Sequence, residues 1–543
     1  MEPRRILLVL GLVIVFVFNG LSLIPYPGLQ QDEVLFAAGI YAARYCEDSL
    51  EVFGRRIPLM LLSYLGALKS WMYEPIVRVW PPSPWSVRVP VLVVGVITLW
   101  AFTWFVRAVA GTFAAASAGA LLATDASFLL TTTFDWGPVA LQHALTMLGV
   151  SALLRFHQTG SRVAFRAGWL CFGLALWNKA LFVWVLSGMG IAAALTLRAE
   201  IGRYGTRRRA IEALACLAAG ALPLILYNVE HPAATLRAAL ESPLAKLRDK
   251  SHVLWSTLDG SGLFGYLVHD GPAGALPAEP ESHLEQLSVA LSQTAGPVRA
   301  SPFPWLLMAA AALLPWLWRT PARRPVLFGL LTMLGAWLQM LATRDAGAAV
   351  HHAVLLWPWP QFVVGVALEQ ARRRWPGRLT TGVAVFLVGA LCAANLLVIN
   401  QYRAQLIRYG SPGSWTDAIY ALSESLRHAP ATEIYVTDWG ILDPLRFLHR
   451  GRLPLREASA VLQQSSLSEA QRQELRQRLA NSGGLFVGHV DGQEQFPGVN
   501  RRLLELARED GFEKERRYIV RDRHGRAVFE VFRFRPSGGL SVQ

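Results

Sequence analysis

The chain has 543 residues, is 53% hydrophobic and only 17% charged, and carries a net charge of +14. Apolar runs near the ~20 residues that cross a bilayer core recur along it, which excludes an ordinary soluble globular domain. Its four cysteines exclude a disulfide framework or a cysteine metal site, because Cys171, Cys216 and Cys392 fall in apolar runs and Cys46 stands alone.

Taken in chain order, Met1–Arg5 and the apolar run Ile6–Ile24 read as a retained first span, since the run is long and lacks a small-residue cleavage site. Within ten residues comes Gln30-Gln31-Asp32-Glu33, two adjacent carboxylates followed by the amphipathic stretch "VLFAAGIYAARY". Apolar runs predict eleven spans: 6–24, 87–106, 109–127, 138–156, 163–178, 180–197, 210–227, 303–318, 325–343, 351–368 and 378–399. Ile57–Tyr73 is apolar enough to be a twelfth, and positive charge decides against it. With eleven spans and the N-terminus inside, the cytoplasmic loops hold 18 Lys+Arg against three acids, whereas the short outer loops hold only Lys179 and Arg344. The segment 57–73 is therefore expected as a helix lying in the outer interface. The same asymmetry accounts for the net charge, so no nucleic-acid partner is implied.

Two segments interrupt the membrane pattern. The outer loop 228–302 is too long for a plain connection and is expected to be functional or partly disordered. Residues 400–543 read as a soluble α/β domain: "GSWTDAIYALSESLRHA" has helical spacing after a Ser414 cap, and "EIYVTD" and "GLFVGHV" are short strands. "RRYIVRDRHGRAVFEVFRF" alternates like a hairpin around His524-Gly525. The division expected is 1–399 for the membrane part, with an outer loop at 25–86, and 400–543 for an extracytoplasmic domain.

Several polar residues sit where chemistry at the outer face needs them. Asp32 and Glu33 follow the first span, and Asp135 precedes the rigid Trp136-Gly137-Pro138 turn between two spans. Acids gathered at one membrane face suit a general base and a metal or substrate ligand. Lys179, one of only five lysines, stands at the outer end of a span as a fixed cation for an anionic group, with snorkelling as the plain alternative. Arg344, His351 and His352 form a second polar cluster at that face, suited to phosphate or metal contact. Asp125 reads as a loop cap, and Arg88 as an anchor of its span or the partner of a loop carboxylate.

The Asp-Glu pair after the first span, "RRIPLMLLSYLGAL", "SVRVP", the second-loop Asp135 and "GLALWNKALF" together resemble the GT-C glycosyltransferases. The nearest type is glycosyltransferase family 39, which includes protein mannosyltransferases and aminoarabinose transferases. The resemblance covers about residues 1–370. It implies a polytopic α-helical fold with catalytic Asp32, Glu33 and Asp135, and a donor-phosphate contact at Lys179; Arg344, His351 and His352 are assigned to the same donor-phosphate site from their place at that face. A divalent cation at Asp135 or His352 is also compatible with it. The sequence departs from the pattern at Thr131–Phe134, where an arginine is usual before the second-loop acid, and at His351-His352, where an Arg-Tyr pair is usual.

The function expected is transfer of a sugar from a polyprenyl-phosphate donor to an extracytoplasmic lipid, glycan or protein, at the outer face of a bacterial inner membrane and with inversion. No Gly-rich nucleotide-binding fingerprint opposes this. The rival readings are a transporter or flippase, disfavoured by the scarcity of intramembrane charge and of paired broken helices, and a non-catalytic envelope assembly protein.

Overall fold

The first helix, α1 (Pro3–Leu23), ends where Pro25 and Pro27 deny it further backbone donors. The structure, a computed structural model, describes residues 3–232, 234–237, 247–272, 277–344, 346–464 and 466–537. Parts of the outer loop expected at 228–302 lie outside the described residues. Within the rest of that loop stand helices Leu247–Leu258 and His283–Ala295.

After α1 the chain forms α2 (Gln31–Tyr41), a three-stranded antiparallel sheet, and α3 (Leu68–Val79). The sheet comprises β1 (Asp48–Val52), β2 (Arg55–Leu62) and β3 (Leu65–Gly66). This corrects the interfacial helix expected at 57–73: the run is half strand and half helix. Phe53 and Gly54, both at positive φ, make the turn that pairs β1 with β2. A short apolar run has no periodicity that tells strand from helix, and the turn decided.

Helical structure occurs in each of the eleven expected runs, but the described residues support a smaller number of full spans. Four helices are long and apolar enough to cross a membrane: α4 (Pro84–Ala110), α7 (Val139–Thr159), Arg323–Ala342 and Arg378–Tyr409. The number rises to seven if each sharply bent helix pair is one span. One such pair is α5 (Thr112–Ala123) with α6 (Ala126–Thr133), bent by 58°. The cause is Asp125, whose carboxylate accepts the Phe128 N–H at 2.7 Å and the Gln361 amide at 2.9 Å and so starts a new helix. The helices α8 (Arg162–Asn178) and α9 (Phe182–Thr196) follow α7, separated by Lys179–Leu181.

The last long helix runs unbroken to Tyr409, ten residues past the expected end of its span. Beyond it lies a five-stranded mixed sheet of β4 (Glu433–Val436), β5 (Leu455–Glu457), β6 (Gly484–His489), β7 (Phe512–Arg521) and β8 (Ala527–Pro536), in the order β5-β4-β6-β8-β7. β4 is parallel to β5 and β6, while β8 is antiparallel to β6 and β7. Alternate strand residues feed two separate apolar clusters. Ile434, Val436, Leu485 and Val487 pack with Ile419 and Leu422, and Tyr435, Phe486 and Phe532 pack with Leu475 and Leu503. Both sheet strands and the β7–β8 hairpin stand where the sequence predicts them. The expected helix after Ser414 begins later, at Ala418, because Gly413–Trp415 forms a 3-10 turn.

This sheet region is seated directly on the loop after α1. The Gly28 N–H donates to the Trp415 carbonyl at 2.7 Å, so closely that a Cβ at Gly28 would lie 1.8 Å from the Thr416 oxygen. Phe447 joins Leu29, Val34, Phe36 and Tyr73 in one buried cluster.

Candidate functional site

The site is built on the first turn of α2. Gln30 is its N-cap, accepting the Glu33 N–H on its side-chain oxygen at 2.9 Å, and this fixes the directions in which Asp32 and Glu33 leave the helix. Glu33 turns inward and is almost wholly buried. Arg88 of α4 grips it with two parallel bonds, Nε to Oε1 at 2.7 Å and Nη2 to Oε2 at 2.9 Å. The same guanidinium donates to the carbonyls of Ile24, Pro27 and Gly28, tying the exit from α1 to the start of α4. Of the two roles open to Arg88, the structure selects partner of a loop carboxylate. Glu33, expected beside Asp32 as a catalytic acid, is instead consumed in this clamp.

Among the described residues Asp32 has no such partner. Burial pushes its carboxyl up to about 6; a Gln30 hydrogen bond and the Lys179 charge pull it down, and the Asp443 carboxylate of the sheet region pushes it up further. Asp32 is therefore ready to carry a proton near neutrality.

The third acid, Asp135, stands at the mouth of α7. Its Oδ1 accepts the backbone N–H groups of Val139 and Ala140 at 2.6 and 3.2 Å, and its Oδ2 lies 2.9 Å from the Lys69 ammonium. Lys69 also donates to the Asp135 carbonyl at 2.6 Å and lies 4.6 Å from the centre of the Phe36 ring. Lys179 follows α8 and donates to the Gly137 carbonyl at 3.0 Å. Burial pushes its ammonium down to about 7, with the Asp135 and Asp32 charges pulling it back up and the Lys69 charge adding to the fall. The Ala180 N–H donates to the Tyr64 carbonyl at 3.0 Å, which pins the Lys179 turn to the β2–β3 connection.

His351 closes the cluster. The Trp136 indole N–H donates to its Nδ1 at 2.9 Å, and His352 lies against it at 4.2 Å between ring centres. Gly137 is obligatory here for space, since a Cβ would fall 2.9 Å from the His351 ring and 3.3 Å from the Lys179 ammonium. The structure thus gathers Asp135, Lys179, His351 and His352, brings Asp32 within electrostatic reach, and leaves Arg344 exposed beyond helix Arg323–Ala342.

Lys69 escaped sequence reasoning because it was read inside an interfacial helix. Its rarity as one of five lysines was the same signal that marked Lys179. Trp415 was missed too: it is fully buried against Phe134, Trp136 and Tyr266, so the sheet region roofs the cluster with aromatic rings.

Among the described residues no three His, Cys, Asp or Glu side chains gather as metal ligands, and both Asp135 oxygens are already engaged.

Neither the protein-family models nor the curated proteins give a match to this sequence. Solved structures do. The crystal structure of ArnT from Cupriavidus metallidurans bound to undecaprenyl phosphate matches with a TM-score of 0.55 and 16% identity, over 98% of this chain and 98% of that one. The archaeal oligosaccharyltransferase AglB from Archaeoglobus fulgidus, in complex with an inhibitory peptide and a dolichol-phosphate, matches with a TM-score of 0.53 and 12% identity, over 100% of this chain and 75% of that one. The Archaeoglobus fulgidus oligosaccharyltransferase in complex with Zn and sulfate matches with a TM-score of 0.50 and 12% identity, over 83% of this chain and 62% of that one. At these identities the likeness is one of fold, and the chain has the fold of these three structures.

Proposed function

We propose that this GT-C-fold protein is a membrane glycosyltransferase that moves a sugar from a polyprenyl-phosphate donor to an acceptor hydroxyl at the extracytoplasmic face of the inner membrane. A fold hosts many functions, so the site has to carry the argument. The observation that carries it is the opposition of Asp32, a carboxylate without an ion-pair partner among the described residues, to the buried lysines Lys179 and Lys69 at one membrane-flanking cluster.

The chemistry divides between those two sides. Asp32 takes the acceptor hydroxyl's proton as that oxygen attacks the anomeric carbon. The bond from that carbon to the phosphate oxygen breaks in the same displacement, which inverts the centre, and the polyprenyl phosphate leaves with the electron pair. Lys179, with Lys69 behind it, faces the charge that develops on the phosphate. His351 and His352 line the same end as hydrogen-bonding groups. Asp135 orients the lysines and the start of α7.

A lipid donor suits this arrangement better than a nucleotide sugar. Its chain stays in the bilayer while one phosphate meets a few buried cations, and no Gly-rich diphosphate cradle is needed. The positive-inside distribution supports an outward-facing site, where cytoplasmic nucleotide sugars are absent. The test supplies purified protein in lipid with a panel of polyprenyl-phosphate sugars or with UDP- and GDP-sugars, and follows release of the carrier. Turnover is expected only with the lipid donors; turnover only with nucleotide sugars overturns the reading.

A further inference from the structure

A second feature lies one helix-length from Asp32. A cleft of about 760 Å³ opens between the C-terminal end of α2, the turn at 43–44, β2 and one side of α3. The two sides of α3 differ in kind. Lys69 and Tyr73 face the buried cluster, Lys69 on Asp135 and Tyr73 donating its hydroxyl to the Val87 carbonyl at 2.6 Å. Ser70, Glu74 and Arg78, spaced four residues apart, line the cleft. From Asp32 to Ile40, the first of the two α2 residues at the cleft, the helix rises roughly 12 Å. The cleft is thus separate from the Lys179 end of the candidate site.

Its lining is both basic and apolar. Arg44, Arg56 and Arg78 line it from three different elements, Arg44 with its guanidinium 4.8 Å from the centre of the Tyr45 ring, and among the described lining residues Glu74, already paired with Arg78, is the one acid. Ile57, Pro58 and Trp71 supply the apolar wall, and Trp71 is held there by donating its indole N–H to the Pro58 carbonyl at 2.9 Å. Among the lining residues the Ser70 hydroxyl is buried and has no hydrogen-bond partner among the described residues. A buried hydroxyl left unsatisfied is costly unless something else fills that role. Guanidiniums lining one cleft suit a phosphate-type anion, and the apolar wall suits a chain attached to it.

We propose that this cleft binds the phosphate-bearing headgroup of an anionic lipid, its phosphate between Arg44 and Arg56, its remaining oxygens reaching the Ser70 hydroxyl, and its apolar part along Ile57 and Trp71. This site is independent of the transfer reaction and stands whether or not the chain moves a sugar.

The experiment is native mass spectrometry of the full chain, delipidated and then titrated with phosphatidylglycerol or phosphatidylcholine, with thermal unfolding as the check on folding. Phosphatidylglycerol is expected to bind in preference to phosphatidylcholine. Arg44→Ala with Arg56→Ala should weaken it by roughly 25-fold, the product of the roughly fivefold effect of each basic residue at a lipid surface. Should the double variant not fold, Arg56→Gln alone must still weaken binding several-fold. Arg501→Ala, which removes an exposed charge from the helix Val499–Glu509, should change nothing. Equal binding of phosphatidylcholine overturns the proposal, and so does an equal loss in Arg501→Ala, which would mean attraction by net charge alone. A third arm adds inorganic phosphate. Displacement of the lipid by phosphate at concentrations matching the lipid's own would show a simple anion site and overturn the lipid assignment.

Discussion

Asp32 and Glu33 are neighbours in sequence and opposites in environment. Glu33 faces inward, where Arg88 meets both of its oxygens and in turn collects three carbonyls from the loop after α1. Asp32 faces the lysine cluster with no ion-pair partner among the described residues, and burial raises it to about 6. One residue of helical rotation, roughly 100°, separates a carboxylate spent on architecture from one kept available. The difference teaches that a pair of acids in a membrane-flanking loop need not share a role, and that the inner one can exist to aim the outer one.

The largest expected effect tests the outer member. Asp32→Asn removes the base with nearly constant volume and should lower transfer by about 10²–10⁴-fold, with the melting temperature unchanged. Donor-consumption assays check it, and near-normal turnover would move the base elsewhere. The inner member should fail differently. Arg88→Ala leaves Glu33 as an uncompensated buried charge and should destabilise the protein by about 3–5 kcal/mol, read as a lower melting temperature and poor yield. A stable but inactive Arg88→Ala would break the comparison by giving Glu33 a chemical role.

A smaller effect separates the two lysines from both acids. Lys179→Met should raise the KM for the lipid donor while leaving acceptor dependence unchanged, since its charge serves the phosphate. Equal changes in both would mean that Lys179 only holds the Gly137 turn.

The smallest effect sharpens the environment of Asp32 itself. As a base, Asp32 works deprotonated, so the rate should rise as pH passes upward through about 6; as a cation, Lys179 works protonated, so the rate should fall above about 7. The expected profile is a narrow bell. Asp443 lies in the helix Leu442–Leu448 of the sheet region, where the Gly440 N–H donates to the Gln31 side chain at 3.1 Å. Its charge raises Asp32, so Asp443→Asn should move the acid limb downward by roughly half a unit. An unmoved limb would confine the working site to the membrane-flanking part.

The sequence alone determined the membrane class and the β7–β8 hairpin, because each rests on local signals: run length and period-two alternation. It went wrong where local signals are degenerate. The run 57–73 is apolar enough for either element, and only the Phe53-Gly54 turn and the pairing with β1 make its first half a strand. Lys69 looked like part of that surface helix. Its role appears only when α3 is laid against the start of α7 and the ammonium comes 2.9 Å from Asp135. The division of labour between Asp32 and Glu33 was likewise unreadable, because Arg88 lies 55 residues from Glu33 and a buried ion pair is a fact of packing. So is the aromatic roof of Trp415, brought by a region nearly 280 residues from Trp136. Composition and periodicity decide which residues can leave water; which charges meet once they have left is decided by the tertiary structure, since a buried charge persists only where the fold supplies its partner.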